Sequence, residues 1–227
     1  MHQSKEMIEC PSSWLSKHLG VGFEETKSHL LSGYPMLQMS HFPAYDQHCS
    51  LTALASVFLY YARNGYEQLP DNREYLFLRI RSTARLRLIH IPRLLFIRGG
   101  TIPFLLDRLA RSIWKHYGYP RGRARNHLFW QSGRRSVPFV LDDLDNGHPL
   151  LLSLSSGYYK KHTVTVIGYK IYERVNEDNT DEENETRVFL RINDHWTTRP
   201  RYVELMSLDP FYGGPFFEFC RIIPPPI

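Results

Sequence analysis

HTVTVIGYKIY, His162–Tyr172, is the stretch whose reading decides the fold. Its β-branched and aromatic residues and its period of two read as a strand. Alternation sets His162, Val164 and Val166 on one face and Thr163, Thr165 and Ile167 on the other. Runs of the same style surround it: PLLLSLS (149–155), RVFLRIND (187–194), RYVEL (201–205) and FFEFCRII (216–223), with turn signals between them. Upstream the pattern changes. SLTALASVFLYYARNGY (50–66) is apolar on nearly every side and reads as a buried helix stopping at Asn64-Gly65. DNREYLFLRIRSTARLRL (71–88) reads as an amphipathic helix with basic outer positions. TIPFLLDRLARSIWKHYG (101–118) has Thr101 to cap a helix, Pro103 in its first turn and Gly118 at its end. SVPFVLDDLDNGHP (136–149) repeats that grammar from Ser136 to Asn146-Gly147. Helices first and strands later predict an α+β fold in a single domain, residues 1–227. Its helical part is about 1–147, with a central buried helix, and it packs on an antiparallel sheet of about 148–223.

The acidic loop ERVNEDNTDEENET (173–186) joins two of these strands. In RVFLRIND, Val188, Leu190, Ile192 and Asp194 share a face. If the two strands pair as a hairpin about that loop, His162 opening one strand meets Asp194 closing the other. A histidine and a carboxylate then share one end of the sheet.

Cys49 stands where polar YDQH (45–48) meets the apolar helix. A cysteine in the first turn of a helix feels free main-chain N–H groups and the positive end of the helix dipole, which favour thiolate. A nearby imidazole lowers the thiol further and supplies a proton to a leaving group. A carboxylate on the other ring nitrogen fixes its orientation. The order Cys49, His162, Asp194 therefore suits nucleophilic catalysis.

DQHCSLTALASV, SSGYYKKHTVTVIGY and RINDHW together resemble a papain-like cysteine peptidase, of the bacterial bacteriocin-processing (double-glycine) peptidase-like group. The resemblance spans about Asp46 to Trp196 in three islands. It implies a papain-like fold, with Cys49 as nucleophile, His162 as general base and then acid, and Asp194, two residues before Trp196, as orienter. This chain has Cys49-Ser50-Leu51 where the group often has Cys-Gly-Pro, and Pro43 where its oxyanion-hole glutamine usually stands. Gln38 is the favoured replacement and Gln47 the alternative.

The expected activity is hydrolysis of a peptide or related amide bond, on a peptide or protein substrate, with no metal or organic cofactor. The alternatives are an acyltransferase or transglutaminase-like enzyme using the same triad, and an inactive papain-like module that binds through its basic face. Arginines crowd Arg73–Arg135 and the formal net charge is +5, yet no nucleic-acid-binding motif is present. The three cysteines, Cys10, Cys49 and Cys220, form no CxxC pair, which argues against a zinc site or a disulfide framework. No run reaches the roughly 18 apolar residues of a membrane span. MHQSKEMIECPSSWLSKHLG has no apolar signal-like core, so a cytoplasmic location is expected, with secretion after loss of a leader as the alternative.

Overall fold

The computed structural model describes residues 6–91, 99–127, 133–174, 185–208 and 216–226. Its backbone is organised on one long strand, β6 (His162–Arg174). On one side β6 carries two partners in succession. β5 (Leu150–Leu154) pairs with its first residues, and β1 (Phe23–Leu30) with Gly168–Arg174. On the other side lie β7 (Thr186–Asn193) and then β8 (Arg201–Glu204). Beyond β5 come β9 (Phe217–Ile223) and β4 (Arg123–His127). Every one of these pairings is antiparallel. The chain is thus α+β with an antiparallel sheet.

The expected strands appear as β5 to β9, and two more, β1 and β4, come from the half read as helical. FEETKSHL is rich in charge and mostly exposed, and RARNH buries only Ala124 while exposing Arg123 and Arg125, so neither shows the apolar alternation that marks a half-buried strand. Between β2 (His90–Ile91) and β3 (Gly100–Thr101) a further short ladder forms. Gly168 is where β1 crowds β6: a Cβ there would stand 2.4 Å from the His29 carbonyl oxygen, so a larger residue would push the strands apart.

Against the sheet lies α2 (Cys49–Arg63), buried along nearly its whole length from Ser50 to Tyr61. Leucine, alanine, valine and phenylalanine supply the apolar surface, and its polar groups are satisfied locally. Ser56 Oγ donates to the Pro35 carbonyl at 2.6 Å and Tyr61 Oη to that of Ile222 at 2.6 Å. α3 (Arg73–Leu86) packs on α2 through Leu76, Phe77, Ile80 and Ala84, and Asn72 caps it by accepting from Glu74 and Tyr75 N–H. α4 (Leu106–His116) sets Trp114 edge-on against Phe58 of α2. α1 (Pro11–His18) covers a smaller cluster with Leu15 and Phe189.

Two caps differ from the sequence reading. Thr101 does not cap a helix. It belongs to β3, its Oγ1 is 3.0 Å from His90 Nδ1, and a 3-10 turn at Pro103–Leu105 precedes α4. α5 (Gly133–Asp145) starts before Ser136, which is buried inside it, and Pro138 is likewise internal. Most of the acidic stretch, 175–184, lies outside the described residues. Among the described residues no helix is long and apolar enough to cross a membrane.

Candidate functional site

Cys49 is the first residue of α2, and His162 the first of β6. The N-terminus of the buried helix meets the start of the central strand, so thiol and imidazole come together. Burial alone would raise the Cys49 thiol, but the hydrogen bond and charge of His162 outweigh it. The Thr163 N–H and the Ser50 hydroxyl add to this, and the thiol falls below its ordinary value. Burial alone would lower His162. The bond and charge of Cys49, then the carbonyl and charge of Asp194, raise it above its ordinary value. The pair therefore favours thiolate and imidazolium.

His162 Nε2 lies 2.7 Å from the main-chain carbonyl oxygen of Asp194. A carbonyl only accepts, so Nε2 carries the hydrogen and Nδ1 is left for Cys49. The Asp194 carboxylate does something else. Its Oδ1 accepts from Trp196 N–H and Thr197 N–H, both at 3.0 Å, and closes the turn. Its Oδ2 faces Arg201 Nε at 3.7 Å, and neither atom has another partner among the described residues. Arg201, itself buried, also pairs with Glu9 on the N-terminal segment. The expected carboxylate–imidazole bond is thus a carbonyl–imidazole bond, and the carboxylate supports the turn that offers that carbonyl.

The register explains the change. The β6–β7 ladder pairs Thr165 with Asn193, which shifts it by two residues from a His162–Asp194 pairing. The ladder ends at that pair, and past the turn after Asn193 it is the Trp196 ring that stacks on the His162 ring, with centroids 4.3 Å apart. Tyr159 stacks on the same indole at 5.5 Å. This aromatic cover shields the His162–Asp194 bond from water. The HW sequence after Asp194 was its only trace in the chain.

Beneath the turn, His195 is fully buried. Its Nδ1 donates to the Leu37 carbonyl at 2.8 Å, so Nε2 accepts from the Thr165 hydroxyl at 3.0 Å. Burial holds this imidazole down at about 3, so it stays neutral. Met39 N–H donates to the His195 carbonyl, and Asn193 Nδ2 to that of Leu37. The segment bearing Gln38 is therefore stitched to the turn bearing Asp194. His48, also buried, bonds Thr52 Oγ1 through Nδ1 at 2.8 Å and serves the helix start.

Gln38 precedes the 3-10 turn Met39–His41, and its Oε1 accepts from Ser40 Oγ at 3.2 Å. That leaves Nε2 as the donor of this side chain. Gln47 directs Oε1 toward Gly100 of β3. A cavity of about 580 Å³ opens against Pro35–Leu37 and is lined by His41, Arg63 and Arg73 but not by Cys49 or His162. Three of the four described non-glycine residues with positive φ adjoin the site: Gln47 (52°), Lys161 (55°) and His195 (62°). Each sits within two residues of Cys49, His162 or Asp194, where the chain reverses to deliver a side chain.

No family model matches the chain, and no curated protein matches it.

Proposed function

We propose that the chain is a thiol hydrolase of peptide or related amide bonds, with a papain-like arrangement of Cys49, His162 and the Asp194 turn. The observation that carries this reading is placement: Cys49 opens the buried helix α2 beside His162, which opens β6 and is held through Nε2 by the Asp194 carbonyl at 2.7 Å, and the pair shifts as a nucleophile and its proton carrier require, the thiol down and the imidazole up. The Cys49 thiolate attacks the carbonyl carbon. The oxyanion is held by the Cys49 N–H at the start of α2 and by Gln38 Nε2, with Gln47 as the alternative donor. His162 passes its Nδ1 proton to the leaving amine as the C–N bond breaks. It then takes a proton from water, which adds to the thioester and releases the acid and the free thiol. The chain's own groups supply every proton transfer.

The test is an incubation of the whole chain with a peptide library made from digested proteins, with new amino termini identified by mass spectrometry. Termini that appear with the native chain and are missing with Cys49→Ala are expected. The same termini from both, or none from either, would overturn the reading. Products carrying an added amine in place of water would turn it into acyl transfer.

A further inference from the structure

α3 turns hydrocarbon to solvent. Tyr75, Leu78, Arg79, Ser82 and Leu86 recur at helical spacing on the side away from α2, and all five are exposed. The outward face of a surface helix is ordinarily polar, yet three of these are large hydrophobics, with Tyr75 68% and Leu86 86% exposed. The Ser82 hydroxyl is already taken up, since its Oγ donates to the Arg79 carbonyl at 2.9 Å. Leu88, just past the helix, is 76% exposed. The Ile102 N–H donates to the Ile89 carbonyl at 2.9 Å, which brings the chain bearing the exposed Phe104 alongside.

Leu88 is also strained. Its φ is 56°, in the left-handed region. Glycine or asparagine ordinarily fills that position after a helix, because a Cβ is costly there. Leu88 therefore gains neither burial nor conformational ease within the chain. A contact outside the chain is what would offset that cost.

The charge on this face has one sign. From Tyr75 to Leu106 the sequence has six arginines and no aspartate or glutamate, and the acid of α3, Glu74, lies in its first turn. Arg81 is drawn over the Tyr45 ring, 4.2 Å from its centroid. Arg85 and Arg87 are exposed and have no acid partner among the described residues. Between Tyr75 and Leu88 there is no carboxylate or amide side chain to read a partner's donors. A protein partner is ordinarily specified by such groups as well as by hydrocarbon. A nucleic acid would reward the arginines but not Leu86 or Leu88. A boundary between anionic headgroups and acyl chains rewards both.

We infer that this face docks the chain on the surface of an anionic lipid membrane. Tyr75, Leu78, Leu86, Leu88 and Phe104 enter the boundary between headgroups and acyl chains, while Arg85 and Arg87 meet lipid phosphates. The inference does not depend on the chemistry of Cys49.

The test is co-sedimentation of the full chain with vesicles of phosphatidylcholine carrying phosphatidylglycerol, against vesicles of phosphatidylcholine alone. Binding to the anionic vesicles is expected to be at least about tenfold stronger and to weaken as salt rises. These arms need no variant. Arg85→Gln combined with Arg87→Gln is expected to remove most of the preference. Leu86→Ser is expected to weaken binding by about fivefold. Leu88→Gly separates docking from folding. It relieves the left-handed backbone, so its urea midpoint is expected to rise while vesicle binding falls by about fivefold. Failure of the native chain to bind anionic vesicles overturns the inference, whether or not it binds a short DNA duplex. Binding that Leu86→Ser and Leu88→Gly both leave unchanged also overturns it, because charge alone would then account for the attraction.

Discussion

His162 donates through Nε2 to the main-chain carbonyl of Asp194 at 2.7 Å, while the Asp194 carboxylate turns to Arg201. The orienting bond is therefore made by an atom that side-chain substitution leaves in place. The carboxylate acts one step back, by closing the 194–197 turn and by its charge.

Asp194→Asn keeps an oxygen for the Trp196 and Thr197 N–H groups and keeps the carbonyl. Cys49 alkylation by iodoacetamide at neutral pH is expected to stay within about threefold of native, since only the charge of Asp194 is lost from the His162 balance. Asp194→Ala loses the turn as well and leaves the buried Arg201 with Glu9 as its one remaining anion among the described residues. Here a fall of more than about tenfold in reactivity is expected, with about 3 kcal/mol of stability lost in urea denaturation. Equal loss of reactivity in both variants would show that the carboxylate itself orients the ring.

The two glutamines make opposite predictions for turnover. Ser40 fixes Gln38 Oε1 as an acceptor and leaves its Nε2 free to donate. Gln38→Ala is expected to lower peptide hydrolysis by about 10²–10³ while leaving Cys49 alkylation unchanged, because alkylation forms no oxyanion. Gln47→Ala, whose amide points to Gly100, is expected to act only weakly on either readout.

Trp196→Ala removes the ring stacked on His162 and admits water to the His162–Asp194 bond. About 1 kcal/mol of aromatic contact is lost, and the imidazolium is held less well. The acid limb of the alkylation profile is expected to move to higher pH, and Trp196→Phe to restore most of the shift. No movement in Trp196→Ala would mean that the ring does not shield the bond.

Glu218 makes stability depend on pH. Burial and Asp107 raise its carboxyl to about 7 in the native state, whereas an unfolded glutamate titrates near its ordinary ~4.3. Between those values the native state holds a proton that the unfolded chain has lost. Stability is complete below about pH 4 and declines as pH rises toward about 7. Glu218→Gln removes the decline. The variant should therefore gain on the native chain by on the order of 3 kcal/mol between about pH 4 and pH 8, read by denaturant midpoints.

The strand HTVTVIGYKIY and the helix after Cys49 were legible because burial leaves a periodic signature: apolar on every side for α2, a period of two for β6. The meeting of Cys49 with His162 left no such signature; it was expected from the order Cys49, His162, Asp194 and from the resemblance that those residues carry. The register was not. A bulge in the β6–β7 ladder between Val166 and Gly168, and the turn after Asn193, set what faces His162, and neither has a hydropathy signal. Strands β1 and β4 stayed hidden because they pair through main-chain groups while showing charged side chains to solvent. Arg201, Leu37 and His195 act through single contacts made by the fold, which no spacing along the chain announces.

The central claim is that His162 makes the Cys49 thiol a thiolate near neutral pH. The most direct measurement is the pH profile of Cys49 alkylation by iodoacetamide, native against His162→Ala. A Cys10→Ser background is needed, because Cys10 is exposed and its thiol is held at about 7 by the Ser12 and Ser13 hydroxyls. The account predicts that native Cys49 reacts well below the ordinary thiol value of ~8.5, and that His162→Ala moves the midpoint above it and slows the reaction at about pH 6 by tenfold or more. Superimposable profiles would contradict it.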